Sequence, residues 1–229
     1  VGVATVTHGP GLTNTATALT EGVRGHAAIV LLAGDTPVAN PRHLQSVDQR
    51  DLVKATGAGF EQLRTPETAA IDLARAVYRA QVERRPVVLN MPADFMWQEV
   101  PHIRNVLDVF ITPGGVAEGG SLDEAFGMIA SARSPVILAG GGAIGARDKL
   151  IALADRLEAP LATTLKAKGL FNGHPYNMDI FGTLSTPAAY DLIARADCIV
   201  CFGTGLHSFT TDQGKLMKGK RIIQVDVEP

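Results

Sequence analysis

A Gly-Pro-Gly turn between a strand pattern and a helix pattern is the first feature that could serve chemistry. The segment reads His8-Gly9-Pro10-Gly11-Leu12-Thr13-Asn14. Two residues without a Cβ let the backbone approach a ligand closely, and the turn directs the N-terminus of the helix towards that ligand. Asn14, one turn into the helix, could direct its amide to the same place. The alternative is a strand-to-helix turn that binds nothing, because glycine-rich turns of this kind are common.

A second glycine-rich turn, Gly140-Gly141-Gly142-Ala143-Ile144-Gly145, directly follows a predicted strand over 135–139. It satisfies G-x-G-x-x-G between a strand and a helix, which is the setting of a dinucleotide site. An NAD site also needs an acid after the next strand, where the ribose binds. Here Leu165 and Lys166 follow the predicted strand 160–164. The turn therefore indicates close backbone approach to a ligand such as a diphosphate and argues against NAD-linked redox chemistry.

The other residues that could serve chemistry indicate a function less specifically than the two glycine-rich turns. The segment 41–49 is a polar loop in which His43 is either a general base or a solvated surface residue. The other histidines lack metal-ligand spacing, and the G-x-S-x-G, Walker A and H-E-x-x-H motifs are absent. Cys198 and Cys201 form a C-x-x-C, a redox or zinc pattern, within an apolar strand pattern. Positions i and i+3 of a strand face opposite sides, so we expect two separate buried thiols.

The elements that must position these residues are short apolar strands alternating with amphipathic helices. This alternation predicts an α/β fold with parallel sheets. Thr65 and Pro66 are predicted as the N-cap and first residue of a helix whose core face carries Ala70, Leu73, Ala74 and Val77. The predicted strands cover 1–7, 27–33, 59–63, 86–91, 135–139, 160–164, 198–202 and 221–227, and the predicted helices cover 12–24, 47–54, 66–83, 146–157 and 187–196, with a further helix starting at 121.

The periodic pattern stops between Val100 and Gly120, where a stretch rich in glycine and proline predicts an interdomain linker. The predicted organisation is therefore a first domain over 1–100, a linker over 101–120 and a second domain over 121–229. Ser121 is predicted as the N-cap of the helix that follows. Because the chain begins inside a strand pattern and stops just after another, we expect it to be part of a longer protein.

The amino-acid composition limits the classes of partner and the cellular location that we expect. The formal net charge of −2 gives no reason to expect a nucleic acid or an anionic membrane surface as a partner. The longest apolar stretches are too short to span a bilayer. The two cysteines form no disulfide framework, which fits a reducing compartment and predicts a cytoplasmic protein.

Four segments, in order along the chain, resemble one enzyme family. They are Gly9-Pro10-Gly11-Leu12-Thr13-Asn14, Leu44-Gln45-Ser46-Val47-Asp48-Gln49, Arg85-Pro86-Val87-Val88-Leu89-Asn90-Met91-Pro92 and Ile223-Gln224-Val225-Asp226-Val227-Glu228-Pro229. Their order and spacing are similar to those of the thiamine diphosphate-dependent enzymes of the acetolactate synthase, benzoylformate decarboxylase and benzaldehyde lyase group. Each segment alone is weakly specific, whereas four in order are strongly specific, and the resemblance covers the whole chain.

This resemblance implies that 1–100 is the later part of a pyrimidine-binding domain and that 121–229 is a Rossmann-like central domain. It implies thiamine diphosphate with magnesium, bound between subunits of a homodimer or homotetramer, and a carbon–carbon bond made or broken next to the carbonyl of a 2-oxo acid. In the family, a glutamate protonates the aminopyrimidine and so drives deprotonation of the thiazolium carbon, which attacks the substrate. The cofactor holds the electrons when carbon dioxide leaves.

The resemblance also implies roles for individual residues of this chain, which are assigned by their positions in the matching segments. Gly9, Pro10, Gly11 and Asn14 correspond to the turn near the pyrimidine end of the cofactor, and Gln45 to a glutamine that faces the active site. No catalytic residue and no metal ligand is assigned within the chain. The resemblance places the catalytic glutamate before Val1 and the Gly-Asp-Gly…Asn metal motif after Pro229, so we expect residues 1–229 alone to be inactive. The triplet Gly34-Asp35-Thr36 is interpreted as a strand-end turn.

Gly140, Gly141 and Gly142 match the glycine run at which the central domain of some family members binds FAD or ADP. Flavin-binding members carry an arginine and acids after the strand at 198–202, where this chain has Gly203-Thr204-Gly205-Leu206-His207-Ser208. Ser46 also replaces the acid of the usual Phe-Gln-Glu. These departures argue against FAD and against the specific name acetolactate synthase. Two alternatives to catalysis remain, a module that binds ADP or FAD and a structural spacer.

Overall fold

Two parallel β-sheets organise the residues described by the computed structural model, which are 1–40, 42–100 and 118–227. The sheets belong to two units, Val1–Pro113 and Gly114–Pro229. All strand pairs in both sheets are parallel, which confirms the predicted α/β class with two parallel-sheet domains. Within the described residues, no helix combines the length and the apolar character needed to cross a membrane.

The first unit has a four-stranded sheet in the order β1-β2-β4-β3. Parallel neighbours require crossover connections, and helices supply them. The strands are β1 Gly2–Val6, β2 Ile29–Asp35, β3 Gly59–Gln62 and β4 Val87–Pro92, and the helices are α1 Pro10–Thr13, α2 Ala16–Arg24, α3 Gln49–Thr56 and α4 Ala69–Val82, with a 3-10 turn at Pro66–Thr68.

The single helix predicted over 12–24 is wrong, because α1 ends at Thr13 and α2 begins at Ala16. Two threonine hydroxyls at this break donate to backbone carbonyls one turn earlier. Thr13 bonds Pro10 at 3.0 Å and Thr15 bonds Leu12 at 2.7 Å. Such side-chain bonds compete with the helical ladder and explain the interruption.

The helical turn at Pro66–Thr68, which leads into α4, begins as predicted, because the Thr65 hydroxyl accepts a hydrogen bond from the Thr68 N–H and Pro66 is its first residue. The core face predicted for α4 is wrong in one respect. Leu73 is 40% exposed, whereas Asp72, Ala76 and Ala80 are buried on one face. The burial of an acid shifts the core-facing stripe away from Leu73.

The second unit has a five-stranded sheet in the order β7-β6-β5-β8-β9, the winding of a Rossmann-like domain. The predicted N-cap at Ser121 is wrong, because the first helix begins at Gly120 with Gly119 as its cap. The strands are β5 Pro135–Ala139, β6 Leu161–Thr163, β7 Asn177–Ile180, β8 Cys198–Phe202 and β9 Arg221–Val225; the helices are α5 Gly120–Ala130, α6 Arg147–Leu157 and α7 Pro187–Arg195, with 3-10 turns at Gly141–Ala146, Leu165–Ala167 and Lys215–Met217. The described residues exclude positions 101–117 of the predicted linker 101–120. They also exclude Pro41, Glu228 and Pro229.

Both cysteines are free and buried, as predicted. Cys201 packs in the cluster that contains Ile199 and Ile193, and Cys198 packs with Val200 and Ile223 in another cluster. Burial raises the pKa of the Cys201 thiol to about 12 and also raises that of Cys198. The C-x-x-C therefore contributes two core thiols that lie on opposite faces of β8.

Candidate functional site

The carboxyl ends of the strands in the first sheet carry the Gly-Pro-Gly turn. Gly9 follows β1 with φ +58° and ψ −111°, a conformation that only glycine adopts without strain. A Cβ at Gly9 would collide with the backbone carbonyl oxygen of Gln45. The turn therefore requires glycine for two reasons, its backbone conformation and the close approach of the 43–49 segment.

A buried glutamine joins the turn to the neighbouring strands. The Gly9 N–H donates to Gln49 Oε1 at 2.7 Å. Gln49 Nε2 donates to the Gly34 carbonyl at 2.8 Å and to Asn90 Oδ1. Gln49 is the first residue of α3, and its side chain is directed into the sheet edge rather than into solvent.

Asn90 extends this network to the other two strands. Its Nδ2 donates to Asp35 Oδ2 at 2.6 Å and to Gln62 Oε1 at 3.0 Å. The other carboxylate oxygen of Asp35 accepts the Thr36 N–H at 2.7 Å. Side chains at the ends of β2, β3 and β4 and the turn after β1 are thus connected by hydrogen bonds through Gln49 and Asn90, which are 3% and 2% exposed.

A cavity of about 340 Å³ opens at the same edge of the sheet. Its surface is largely apolar, with two methionines, and it contains one titratable side chain, His8. His8 Nε2 is buried and has no hydrogen-bond partner among the described residues, and the His8 ring meets the His43 ring edge-on at 5.2 Å. The lining residues are Thr5, Val6, Thr7, His8, Gly34, Met91 and Met96.

The structure brings together most of the predicted residues of the first unit. Gly9, Pro10 and Gly11 form the turn. Gln45 meets Gly9 through its backbone carbonyl, so the predicted role of its side chain in the active site remains a prediction. Asn14 caps the C-terminus of α1 and is exposed.

Sequence reasoning missed Gln49 and Asn90. The available signal for Asn90 was a single amide inside the apolar strand Val87-Val88-Leu89-Asn90-Met91. A buried amide needs hydrogen-bond partners, and those partners lie at the ends of other strands.

In the second unit, the glycine-rich turns after β5 and β8 lie side by side. A Cβ at Gly140 would collide with the Gly203 carbonyl, and one at Gly142 would lie 2.9 Å from Gly203 Cα. The Gly142 N–H donates to the Gly203 carbonyl at 3.1 Å. Contact between two backbones therefore accounts for Gly140, Gly142 and Gly203 without a ligand.

The switch between winding directions lies between β5 and β8, where open α/β sheets bind ligands. Gly141 is exposed there, and a Cβ on it would lie 3.7 Å from Lys166 Cβ. Thr204 is buried beside the turns, and no described residue forms a hydrogen bond with its Oγ1. Across the described residues of both units, no group of three or more His, Cys, Asp or Glu side chains could hold a metal ion.

Comparison with known proteins identifies the second unit. Residues 122–229 match the family described as thiamine pyrophosphate enzyme, central domain. The chain belongs to the thiamine diphosphate-dependent enzymes. The resemblance predicted from the four sequence segments is thereby confirmed, and the Rossmann-like sheet of the second unit is that of the central domain.

Named relatives of this enzyme family cover the first unit as well. Sulfoacetaldehyde acetyltransferase of Rhodobacter capsulatus is 33% identical over 234 residues, which is 97% of this chain and 39% of the relative. A probable 2-ketoarginine decarboxylase of Pseudomonas aeruginosa is 31% identical over 100% of this chain and 42% of the relative. A probable acetolactate synthase large subunit of Methanocaldococcus jannaschii is 27% identical over 100% of this chain and 41% of the relative. The chain thus spans about two fifths of the length of these curated relatives.

Proposed function

We propose that the chain is part of a thiamine diphosphate-dependent enzyme that makes or breaks a carbon–carbon bond next to the carbonyl of a 2-oxo acid. The observation that supports this most is the Gly9 turn, held by Gln49 beside the cavity at the carboxyl edge of the first sheet. Relatives named as a decarboxylase and an acetolactate synthase support a reaction of one of these two types.

The residues at this edge fit one side of a planar heteroaromatic ring such as the aminopyrimidine of the cofactor. Met91 and Met96 offer apolar surface, the unpartnered His8 Nε2 offers a polar contact, and the Gly9 backbone lacks a Cβ. Bound thiamine diphosphate supplies a nucleophilic carbon and an electron sink. The part proposed for this chain is to bind and orient the ring and to exclude water from that side.

Further parts of the proposal rest on the family. They are magnesium as the partner of the diphosphate, a homodimer or homotetramer with sites shared between subunits, a cytoplasmic location, and a division into a pyrimidine-binding part over 1–100, a linker over 101–120 and the central domain over 121–229. Gln45 and Asn14 are proposed to contact the cofactor or substrate from the first of these parts.

An activity assay on the full-length protein tests the proposal. The protein is loaded with thiamine diphosphate and Mg²⁺ and offered pyruvate, 2-ketoarginine or sulfoacetaldehyde in separate reactions. We expect carbon dioxide to be released from at least one of the two 2-oxo acids, and this release should require the cofactor. Consumption of sulfoacetaldehyde without carbon dioxide release from either 2-oxo acid would overturn the 2-oxo acid assignment. The cofactor-free protein is the control.

Nucleotide binding by the second unit is the second candidate function. It is favoured by the exposed Gly141 beside Lys166 and by the unpartnered Thr204 Oγ1 at the switch point of the sheet. Backbone groups and a cation at such a position suit a diphosphate. Gly140, Gly141 and Gly142 are proposed as its binding turn, and titration of the full-length protein with ADP, FAD and NAD tests this function.

A further inference from the structure

The direction of the Gln49 amide is set by backbone groups whose hydrogen-bonding character cannot change. The Gly34 carbonyl is an acceptor and must face the Gln49 NH₂ group, at 2.8 Å. The Gly9 N–H is a donor and must face Gln49 Oε1, at 2.7 Å. Only one orientation of the Gln49 amide satisfies both backbone groups, and it directs the second hydrogen of its NH₂ group at Asn90.

Asp35 fixes the other end of the network. A carboxylate only accepts hydrogen bonds, so the Asn90 NH₂ group must face it, at 2.6 Å. Asn90 Oδ1 then faces Gln49, where an acceptor is required. The second Asp35 oxygen is already occupied by the Thr36 N–H. Asp35, with Gln62 Oε1 as the second acceptor of the Asn90 NH₂ group, thus selects the orientation of Asn90 that Gln49 needs in order to bind Gly9.

We propose that Gln49 is a positioning residue that holds the Gly9-Pro10-Gly11 turn against the cavity, and that Asp35 acts on the same turn through Asn90. The inference rests on the proposed function, because the turn is proposed to form one side of the thiamine diphosphate site. The hydrogen bond to Gln49 is what anchors the Gly9 N–H, and Pro10 has no N–H to provide a second anchor.

Two substitutions remove different parts of this network while preserving side-chain size. Gln49→Met deletes its three hydrogen bonds. Asp35→Asn leaves one acceptor oxygen for two donors, the Thr36 N–H and the Asn90 NH₂ group, and so weakens the preference of Asn90 for its native orientation, which Gln62 Oε1 still supports. Gln81→Met is the matched control, because Gln81 lies on α4 and its buried Oε1 has no hydrogen-bond partner in the described part of the chain.

The experiment measures the thiamine diphosphate dissociation constant and amide hydrogen exchange in the full-length protein. We expect each variant to weaken cofactor binding about tenfold, the effect of one hydrogen bond of ordinary net strength. Exchange should accelerate in the peptide covering 8–14 and remain unchanged in the peptide covering α4. The Gln81→Met protein should match the wild type in both measurements.

The double variant shows whether Asp35 acts on the turn through Gln49, which we call the relay, or whether the two residues affect cofactor binding independently. If Asp35 acts through Gln49, Asp35→Asn should add less than about twofold in the Gln49→Met background, because the effects of coupled residues do not add. Additive effects would overturn the relay. Should Gln49→Met fail to fold, Asp35→Asn alone tests the proposal by the same two measurements.

The outcomes also separate this inference from the proposed function. Unchanged cofactor affinity and unchanged exchange in Gln49→Met, with a wild-type protein that binds thiamine diphosphate, would overturn the inference and leave the function standing. A full-length wild-type protein that does not bind thiamine diphosphate would overturn the proposed function, and the cofactor-positioning role of Gln49 would be overturned with it.

Discussion

At the scale of single residues, Gly9 carries a stringent constraint, because it combines a positive φ with backbone contact. Gly9→Ala should lower the free energy of unfolding by about 3 kcal/mol, since both strain and the collision with Gln45 must be relieved. Urea denaturation of wild type and variant measures the loss. Gly219→Ala is the matched control, because Gly219 has φ +74° with open space around it, and its loss should be about 1 kcal/mol. Equal losses in the two variants would show that the Gln45 contact is unimportant.

The sequence predicted the Gly9 turn but not the residue that holds it. Glycine and proline at a strand-to-helix junction have local physical consequences, so the turn could be identified from neighbours in the chain. The role of Gln49 depends on groups 40 and 41 residues away, Gly9 and Asn90, that meet only when parallel strands align. Family resemblance pointed to Gln45, whose backbone carbonyl meets the turn, and the role predicted for its side chain stays a prediction.

At the scale of elements, helix α4 shows how a buried acid alters a periodic pattern. The Asp72 side chain is fully buried and accepts hydrogen bonds from Arg64 Nε at 2.8 Å and the Thr68 hydroxyl at 2.7 Å. Both donors precede Asp72 in the chain and lie near the start of the helix. The prediction from apolar periodicity placed Leu73 on the core face, because such a prediction assumes that every acidic side chain is exposed.

Asp72→Asn should destabilise the protein, and the loss should depend on pH. Burial alone would raise the pKa of Asp72, but hydrogen bonds from Arg64 and Thr68 outweigh burial and hold the pKa below its ordinary value of 3.8. A lowered folded-state pKa contributes stability above the unfolded-state pKa, and this contribution is lost as pH falls through the folded value. We expect a loss of about 2 kcal/mol at neutral pH, moderated because Arg64 is half-exposed.

Urea denaturation at neutral and acid pH measures this effect. The difference between wild type and Asp72→Asn should begin to shrink below about pH 4, where the carboxylate of the unfolded chain becomes protonated, and should vanish as the pH falls through the lower pKa of the folded state. Asp191→Asn, at an exposed position of α7, is the control and should show little loss at either pH. An Asp72→Asn loss that is the same at both pH values would contradict the argument from charge.

Other elements differ in how far local sequence determines them. The buried strands β2, β4, β5 and β8 were predicted within two residues, because continuous apolar runs bounded by turn residues are a strong signal. Strand β7 was missed, since Asn177-Met178-Asp179-Ile180 is half polar and Asp179 has a positive φ. Pairing with β6 rather than intrinsic preference places this segment in the sheet.

At the scale of the whole molecule, alternation of strands and helices was sufficient to predict two parallel sheets. It could not supply the strand orders, which depend on which edges meet after the helices pack. Those orders decide function, because ligands bind at the carboxyl ends of strands and at the switch points of open sheets. The Gly9 turn with its cavity and the paired glycine turns of the second unit both occupy carboxyl ends.

The strand order of the second unit leads to a prediction about nucleotide selectivity. We expect the full-length protein to bind ADP and NAD with similar affinity in calorimetric titrations, because β6 ends at Thr163 without the acid that would bind the adenosine ribose present in both nucleotides. Lys166→Met should weaken ADP binding about tenfold, since a charge-assisted contact to a phosphate is lost. The exposed Lys218→Met is the control and should bind ADP like the wild type. Much tighter binding of NAD than of ADP would contradict this expectation, and unchanged ADP affinity in Lys166→Met would exclude this lysine from the site. If ADP, FAD and NAD all fail to bind, the glycine turns serve only the backbone contact between Gly142 and Gly203, and the second unit acts as a structural spacer.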